Sequence, residues 1–127
     1  MNNIKIFDLI VLGTGTEGST TASELSELGF TVTASDISKT AIKQASINRT
    51  KDAGKINFMM DNILNSGFKE SEFDFIFDRG CFHVISANDR VRYVYEVNRI
   101  LKDGGLLFLK CFSERTNARS RIIQVIS

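Results

Sequence analysis

Ile10–Asp36 reads IVLGTGTEGSTTASELSELGFTVTASD, and the order of its segments decides the fold. The apolar run over Phe7–Leu12 stops at glycines, as a strand buried on both faces does. Small and apolar residues recur every three positions over Thr20–Leu28, which predicts a short helix, and Gly29 stands where a left-handed residue would end it. The β-branched residues of Phe30–Ser35 predict a second strand. The stretch therefore predicts a strand–helix–strand unit with parallel strands.

The rest of the sequence continues this alternation of apolar strands and helices. The predicted elements are strands over Ile56–Met60, Phe73–Phe77 and Leu106–Phe112, a helix over Lys39–Ala53 that begins after Ser38 and closes at Gly54, a loop over Arg79–Asn88, and a helix over Asp89–Lys102. Asp61–Glu72 is so short that we expect a loop or a single helical turn there. Ile122–Ile126 fits either a sixth short strand or a frayed end. The pattern predicts an α/β fold, with a parallel sheet covered by helices on both faces.

The helix over Asp89–Lys102 is expected to bury one face. The residues that recur at helical spacing, with one polar member among them, are Val91, Val94, Tyr95, Val97, Asn98 and Leu101. We therefore expect these six side chains to pack against the sheet.

Composition excludes several classes of function. The chain has 127 residues, which fits a single domain over residues 1–127. Sixteen Lys and Arg against fifteen Asp and Glu give a net charge of +1, so no nucleic-acid partner is expected. No apolar run approaches the roughly 20 residues of a membrane span, and the polar beginning MNNIKIFDL is unlike a secretion signal. We therefore expect a cytoplasmic protein without a membrane partner.

The cysteine and histidine content is typical of a cytosolic domain without a metal. Cys81 and Cys111 are expected to be reduced thiols, because nothing else in the sequence indicates an oxidising compartment. His83 is the single histidine, and no cysteine–histidine cluster has zinc spacing, so no metal site is expected.

A glycine loop between the first strand and the first helix indicates a ligand site. Gly13, Gly15 and Gly18 form G-x-G-x-x-G, which lets the backbone turn tightly and approach a ligand. Asp36 ends the second strand, where a carboxylate can accept both hydroxyls of an adenosine ribose. The plain alternative is that the glycines only shape the turn and Asp36 only caps the next helix.

Asp61 and Asn62 follow the third strand at the same edge of the predicted sheet. Ligands of open parallel sheets bind outside the carboxyl ends of the strands. An oxygen of either side chain could accept from an adenine amino group. Each could equally be a turn residue that satisfies its own backbone.

Two further stretches, FDFIFDRGCFHVI and YVYEVNRILKDGGLLFLKCFS, resemble the class I S-adenosylmethionine-dependent methyltransferases. Within that family the resemblance is closest to the tellurite-resistance and thiopurine methyltransferase-like branch. It runs from about Ile10 to Ser113 and includes LGFTVTASDIS. The resemblance implies a Rossmann-like sheet with the central order 3-2-1-4-5, and strands six and seven of the family fold truncated or missing.

The resemblance also implies a set of residues that bind S-adenosylmethionine. The loop glycines approach the methionine part, the acid after strand two holds the ribose, the next residue packs on adenine, Asn62 lies at the adenine amino group, and the segment after strand four borders the methionine end and the acceptor. The implied cofactor-binding residues are Gly13, Thr14, Gly15, Asp36, Ile37, Asp61, Asn62, Ile63, Asp78, Arg79 and Gly80. An ungapped alignment puts Gly13 where the family has an acid, and Glu17 and Ser19 where it has glycines.

The implied reaction is methyl transfer from a sulfonium to a small-molecule acceptor, which needs proximity and alignment more than a dedicated nucleophile. Asp78 or His83 could deprotonate the acceptor, although His83 also fits a structural position at the rim. Arg79 could attract an anionic acceptor or pair with an acid such as Asp78. A Cys81–His83 catalytic pair is disfavoured, because alternate residues of an extended segment face opposite sides.

Two other functions are consistent with the sequence. The chain covers five strands of a fold that normally has seven, which fits a truncated or non-catalytic relative that acts as a fragment or partner subunit. The formal G-x-G-x-x-G with Asp36 also fits a nicotinamide-dinucleotide-binding Rossmann domain. An uncovered edge at strand five would favour a homodimer formed through the exposed sheet edge.

Overall fold

A computed structural model describes residues 7–48, 56–112 and 120–126. The strands are β1 Asp8–Leu12, β2 Thr31–Asp36, β3 Ile56–Met60, β4 Phe73–Asp78, β5 Leu101–Phe112 and β6 Ser120–Ile126. The helices are α1 Thr16–Glu27, α2 Lys39–Asn48, α3 Cys81–Val84 and α4 Arg90–Ile100, with 3-10 turns at Ile63–Asn65 and Ala87–Asp89. The end predicted for the second helix, at Ala53 and Gly54, lies outside the described residues.

The strands form one sheet in the order β3-β2-β1-β4-β5-β6. The first five are parallel to their neighbours, which confirms the predicted order 3-2-1-4-5. The stretch that fitted either a strand or a frayed end is a strand, because β6 pairs antiparallel with β5 from Phe112↔Ser120 to Leu106↔Ile126. The edge of β5 is therefore covered, and the expectation that it is exposed was wrong. A homodimer through a sheet edge stays a prediction that would have to use another strand.

The buried strand β1 separates two apolar clusters, one on each face of the sheet. Ile10 and Leu12 belong to the cluster that contains Tyr93, Val97 and Ile100 of α4. The alternate residues of β1 face the other cluster, which contains Ala22 of α1. Because successive side chains of a strand point to opposite faces, a continuous apolar run is what a doubly covered strand needs.

The buried face of α4 differs from the predicted face. Tyr93, Glu96, Val97 and Ile100 are buried, whereas Val91, Val94, Tyr95 and Asn98 are exposed. Both sets recur at three- and four-residue spacing, so periodicity alone could not choose between them. Val97 and Leu101 are the members of the predicted set that the sheet does cover.

Local signals account for most of the remaining boundaries. The Oγ of Ser38 accepts a hydrogen bond from the Ala41 N–H at 3.2 Å, which confirms it as the cap of α2. Gly29 has φ +95° after α1, as predicted. A single 3-10 turn joins β3 to β4, also as predicted. The prediction of a loop over Arg79–Asn88 was wrong, because α3 and a second 3-10 turn lie within it. No helix in the described ranges is long and apolar enough to cross a membrane.

The turn between β1 and α1 is built on two glycines. Gly13 has φ +92°, and its N–H donates to the Ser35 carbonyl oxygen at 2.8 Å. A Cβ on Gly18 would lie 1.9 Å from the Gly13 oxygen. The first turn of α1 therefore rests directly on the loop backbone, and only a residue without a side chain allows this approach.

Replacing Gly18 with alanine is expected to destabilise the fold by about 2–3 kcal/mol, because the new methyl group must push α1 away from the Gly13 carbonyl. Urea unfolding followed by circular dichroism measures this. Gly67→Ala is the matched control, since its Cβ would meet only the Asp61 carboxylate oxygen at an ordinary 3.7 Å. Equal midpoints for the two variants would contradict the tight packing of α1 on the loop.

Candidate functional site

A cavity of about 580 Å³ opens at the carboxyl ends of the parallel strands. Its first part is lined by residues at or just after the carboxyl ends of β1, β2 and β3: Leu12, Gly13, Gly15, Ser35, Asp36, Ile37, Asp61, Asn62, Ile63 and Leu64. Its second part is lined by the segment after β4: Arg79, Gly80, Cys81, Val84, Ile85, Ser86 and Asp89. The volume is within the roughly 300–1,000 Å³ typical of small-molecule sites.

Asp36 is held in place by the glycine loop. Its Oδ2 accepts from the Thr14 N–H at 2.9 Å and from the Thr14 hydroxyl at 3.0 Å, and its Oδ1 accepts from the Ser38 N–H at 2.9 Å. Thr14 is buried and does not line the cavity, so in this structure its role is to hold Asp36, and its predicted contact with the cofactor stays a prediction. The helix cap is the Ser38 hydroxyl, and Asp36 remains at the cavity wall with acceptor capacity on Oδ1.

Asp61 and Asn62 both line the cavity, and both also satisfy nearby backbone. The Asp61 carboxylate accepts from the Ser66 hydroxyl at 2.8 Å and from the Gly67 N–H at 2.9 Å. The Asn62 Oδ1 accepts from the Leu64 N–H at 3.0 Å and caps the 3-10 turn. Asn62 therefore matches the turn-residue interpretation, whereas Asp61 holds the loop at Ser66 and Gly67. The Asn62 amide NH2 has no bond to the described protein.

Asp78 is fully buried and does not line the cavity. Its carboxylate accepts from the Tyr93 hydroxyl at 2.5 Å and from the backbone N–H groups of Gly80, Cys81 and Phe82 at 2.7–3.0 Å. Burial raises the pKa of this carboxyl above its usual range, and the four donors oppose that shift. The predicted cofactor contact and catalytic role of Asp78 stay predictions, and in this structure its carboxylate is occupied by four protein donors.

His83 lies on α3, is exposed, and is absent from the cavity lining. This position fits the alternative of a rim residue, and a catalytic role for His83 stays a prediction. Cys81 does line the cavity, but burial, with the nearby charges of Asp78 and Asp36, raises the pKa of its thiol to about 12. A thiol that stays protonated at neutral pH makes no thiolate–imidazole pair with His83.

The loop that carries Asp61 and Asn62 is fixed to α4 by a buried ion pair. The Glu96 carboxylate is 3% exposed and accepts from Arg99 at 2.8 Å and from the Ser66 N–H at 3.0 Å. Arg99 in turn donates to the carbonyl oxygens of Ser66 and Phe68 at 3.0 and 2.8 Å. One side of the cavity therefore depends on α4, although no α4 residue lines it.

Residues 10–109 match the methyltransferase domain family. The chain belongs to the methyltransferase family. Membership confirms the class I resemblance and favours it over a nicotinamide-binding domain. Among the described residues, no group of three or more His, Cys, Asp or Glu side chains could hold a metal ion.

Individual methyltransferases resemble the chain over most of its length. Two proteins of Schizosaccharomyces pombe (strain 972), both uncharacterized methyltransferases, are 32% identical over 111 residues, which is 87% of this chain and 77% of each relative. A solved SAM-dependent methyltransferase from Methanosarcina mazei is 30% identical with a TM-score of 0.73, covering 86% of this chain and 54% of that one.

A second solved structure comes from work on the conversion of a disulfide bond into a thioacetal group during echinomycin biosynthesis. It is 26% identical with a TM-score of 0.77, and the match covers 86% of this chain and 45% of that one. This methyltransferase chain therefore spans about half the length of these two solved structures.

Sequence reasoning missed the part of the cavity wall formed by α3 and the turn after it. Val84, Ile85, Ser86 and Asp89 fell in or beside the stretch predicted as a loop. It also missed Tyr93, whose hydroxyl holds Asp78. The available signal was the acid followed by Arg79 and Gly80, since Asp at the start of a turn accepts backbone N–H groups two and three residues later.

The Glu96–Arg99 pair predicts a pH-dependent stability. Hydrogen bonding from Arg99 lowers the pKa of Glu96 below 4.5, so its contribution is complete above the unfolded pKa and is lost as pH falls through the native pKa. Glu96→Gln is expected to cost about 2 kcal/mol at pH 7. The difference between wild type and variant, measured by urea unfolding, should shrink below about pH 4.5. Glu24→Gln, at an exposed position of α1, is the control, and a pH-independent difference for Glu96→Gln would contradict the assignment.

Proposed function

We propose that this methyltransferase binds S-adenosylmethionine in the cavity and transfers its methyl group to a small-molecule acceptor. The observation that carries the proposal is Gly15. Its φ is −62°, which any residue can adopt, and a Cβ built on it would meet nothing within 4 Å. The fold therefore does not require a glycine here, and the free space belongs to the cavity that Gly15 lines.

The contrast with the neighbouring glycines supports a ligand at this place. Gly13 is needed for its positive φ, and Gly18 for the close approach of α1. Gly15 has neither reason, and it precedes the first turn of α1, whose N–H groups favour an anionic or polar ligand group. A bare backbone at this point fits the close approach of the methionine part of the cofactor.

The nucleotide half of the cofactor fits the residues after β2 and β3. Asp36 is fixed by Thr14 and keeps acceptor capacity on Oδ1 for the ribose hydroxyls. Ile37 lines the cavity with 66% of its surface exposed, so an adenine ring stacked on it would bury apolar area. Asn62 also lines the cavity, which supports a contact of its side-chain amide with the polar edge of that ring.

When bound, S-adenosylmethionine supplies a methyl group already activated by the sulfonium. The task left to the protein is to place an acceptor in line and to keep water from it. Cys81, Val84 and Ile85 form the wall beyond the glycine loop and give that part of the cavity an apolar surface. This wall is where we place the acceptor.

The finer parts of the proposal are the acceptor and the branch of the family. The DRGCFH block supports placement beside the tellurite-resistance and thiopurine methyltransferase-like proteins. The alternative is a non-catalytic relative that binds the cofactor as a partner subunit. Release of S-adenosylhomocysteine by the isolated chain with any acceptor would decide against that alternative.

Titration calorimetry with S-adenosylhomocysteine tests the binding. Wild type is expected to bind, and Gly15→Ala to weaken binding at least about tenfold, because its methyl group occupies ligand space. Its free energy of unfolding should stay within about 1 kcal/mol of wild type, the cost of losing a glycine cap.

Gly67→Ala is again the control, since Gly67 does not line the cavity, and it should bind as wild type does. NADH serves as the competing ligand. Saturation by NADH with no heat from S-adenosylhomocysteine would overturn the proposed function, and equal affinities for wild type and Gly15→Ala would overturn the assignment of Gly15.

A further inference from the structure

The strand β3 forms one edge of the sheet. Within residues 7–48, 56–112 and 120–126 its one neighbour is β2, and an edge strand leaves a row of backbone N–H and C=O groups unpaired. Proteins usually protect such an edge with a charge, a proline or a bulge. The stretch Ile56–Met60 reads INFMM, without a charged residue or a proline, and its pairing with β2 has no irregularity. The strand at the opposite edge, β6, contains Arg121, so β3 is the edge more open to a further strand.

The backbone groups of β3 alternate between β2 and the free edge. The N–H of Asp61, directly after the strand, donates to the Asp36 carbonyl oxygen at 3.0 Å, so the backbone of Asp61 faces β2. Because neighbouring residues of a strand direct their backbone groups to opposite sides, the second and fourth residues of β3 face β2 as well. The N–H and C=O groups of the first, third and fifth residues, Ile56, Phe58 and Met60, therefore point to the free edge.

Exposed apolar side chains lie along this edge. Met59 is 40% exposed and Met60 is 61% exposed, and as neighbours in a strand they lie on opposite faces of the sheet. Phe58 is partly buried against the apolar cluster that contains Ala22 of α1. Asn57 is exposed, and its amide contacts the Met59 sulfur at 3.4 Å. A further strand on this edge would therefore cover methionine surface on both faces of the sheet and would also pair the backbone.

We propose that β3 is a homodimer interface, at which it pairs antiparallel with β3 of a second copy across a two-fold axis at Phe58. A two-fold axis normal to the sheet sets a strand antiparallel to its own copy. The outward residues are symmetric about Phe58, so Phe58 meets Phe58 of the copy, and Ile56 and Met60 meet each other. Each such pair exchanges two hydrogen bonds, about six in all across the three pairs. This inference does not depend on the proposed function.

Three properties of the chain favour a second copy over a different protein. The outward groups match themselves under the two-fold axis, so an identical strand pairs all of them. The strand is uncharged and the chain has a net charge of +1, so two copies approach with little repulsion. The pairing also sets Asn57 opposite Met59 of the copy, which repeats across the axis the amide–sulfur contact already present within one copy.

Hydrogen exchange on the full chain tests the interface residue by residue. Sedimentation equilibrium is expected to show a reversible equilibrium between monomer and dimer. In the dimer the amides of Ile56, Phe58 and Met60 should exchange at least about tenfold more slowly than in the dilute monomer, because their N–H groups gain acceptors. The amides of Asn57 and Met59 are the internal control, since they bond to β2 in both states and should change less than about twofold.

The substitution Met59→Lys tests the interface independently. A lysine at this position places like charges near each other on the two copies, so dimerisation should weaken at least about tenfold. Val91→Lys is the matched control, because Val91 is 79% exposed on α4 and receives the same charge, and it should dimerise as wild type does. Circular dichroism checks that both variants fold, and the exchange pattern of the unmodified chain decides the question if Met59→Lys folds poorly.

The outcomes that overturn the proposal are distinct. A chain that stays monomeric up to its solubility limit rejects it. A dimer in which Ile56, Phe58 and Met60 exchange as fast as in the monomer also rejects it, as does equal weakening by Met59→Lys and Val91→Lys, because the interface would then lie elsewhere. New protection confined to β6 would assign the dimer to the opposite edge. Assemblies of more than two copies reject the proposal as well, because a two-fold contact closes at the dimer.

Discussion

The carboxylate of Asp78 ties the end of β4 to the segment that closes the cavity. Burial of an acid without donors is strongly unfavourable, and here four donors converge on it. Three of them are the N–H groups that begin α3, and the fourth is the Tyr93 hydroxyl of α4. The single group therefore fixes α3 and α4 relative to the sheet, and with them the wall that carries Cys81 and Val84.

Asp36 ends β2 and Asp78 ends β4, the two strands that flank β1, but the two carboxylates have different roles. Asp36 keeps one face toward the cavity while Thr14 and Ser38 fix its orientation. The Asp78 side chain is fully buried, and its oxygens accept hydrogen bonds from protein groups. Both are the last residue of a parallel strand, so the sequence pattern treats them alike. The difference is that Asp78 accepts from three successive backbone N–H groups and from Tyr93, fifteen residues further along the chain, whereas Asp36 accepts from Thr14 and Ser38 and still lines the cavity.

The sequence predicts the strands well because each is an apolar run between turn residues, and β1 to β4 begin and end within a residue or so of their predicted bounds. The cavity wall after β1, β2 and β3 was also predictable, since strand ends determine it. The face of α4 was not, because Val91 and Val94 have the same spacing as the buried residues. The short helix α3 was missed because its stability comes from the Asp78 carboxylate rather than from its own four residues.

The glycine loop shows which departures from the family pattern are structural. In the ungapped alignment Gly13 takes the place of an acid, yet its φ of +92° and its hydrogen bond to Ser35 make that position a left-handed turn residue. An acid there would be strained, so this chain cannot supply a carboxylate from that position without rebuilding the turn. Gly18 must also lack a side chain, because a Cβ there would clash with the Gly13 carbonyl oxygen. Of the three loop glycines only Gly15 has no structural reason to lack a side chain, and this is why ligand binding is the simplest physical account of it.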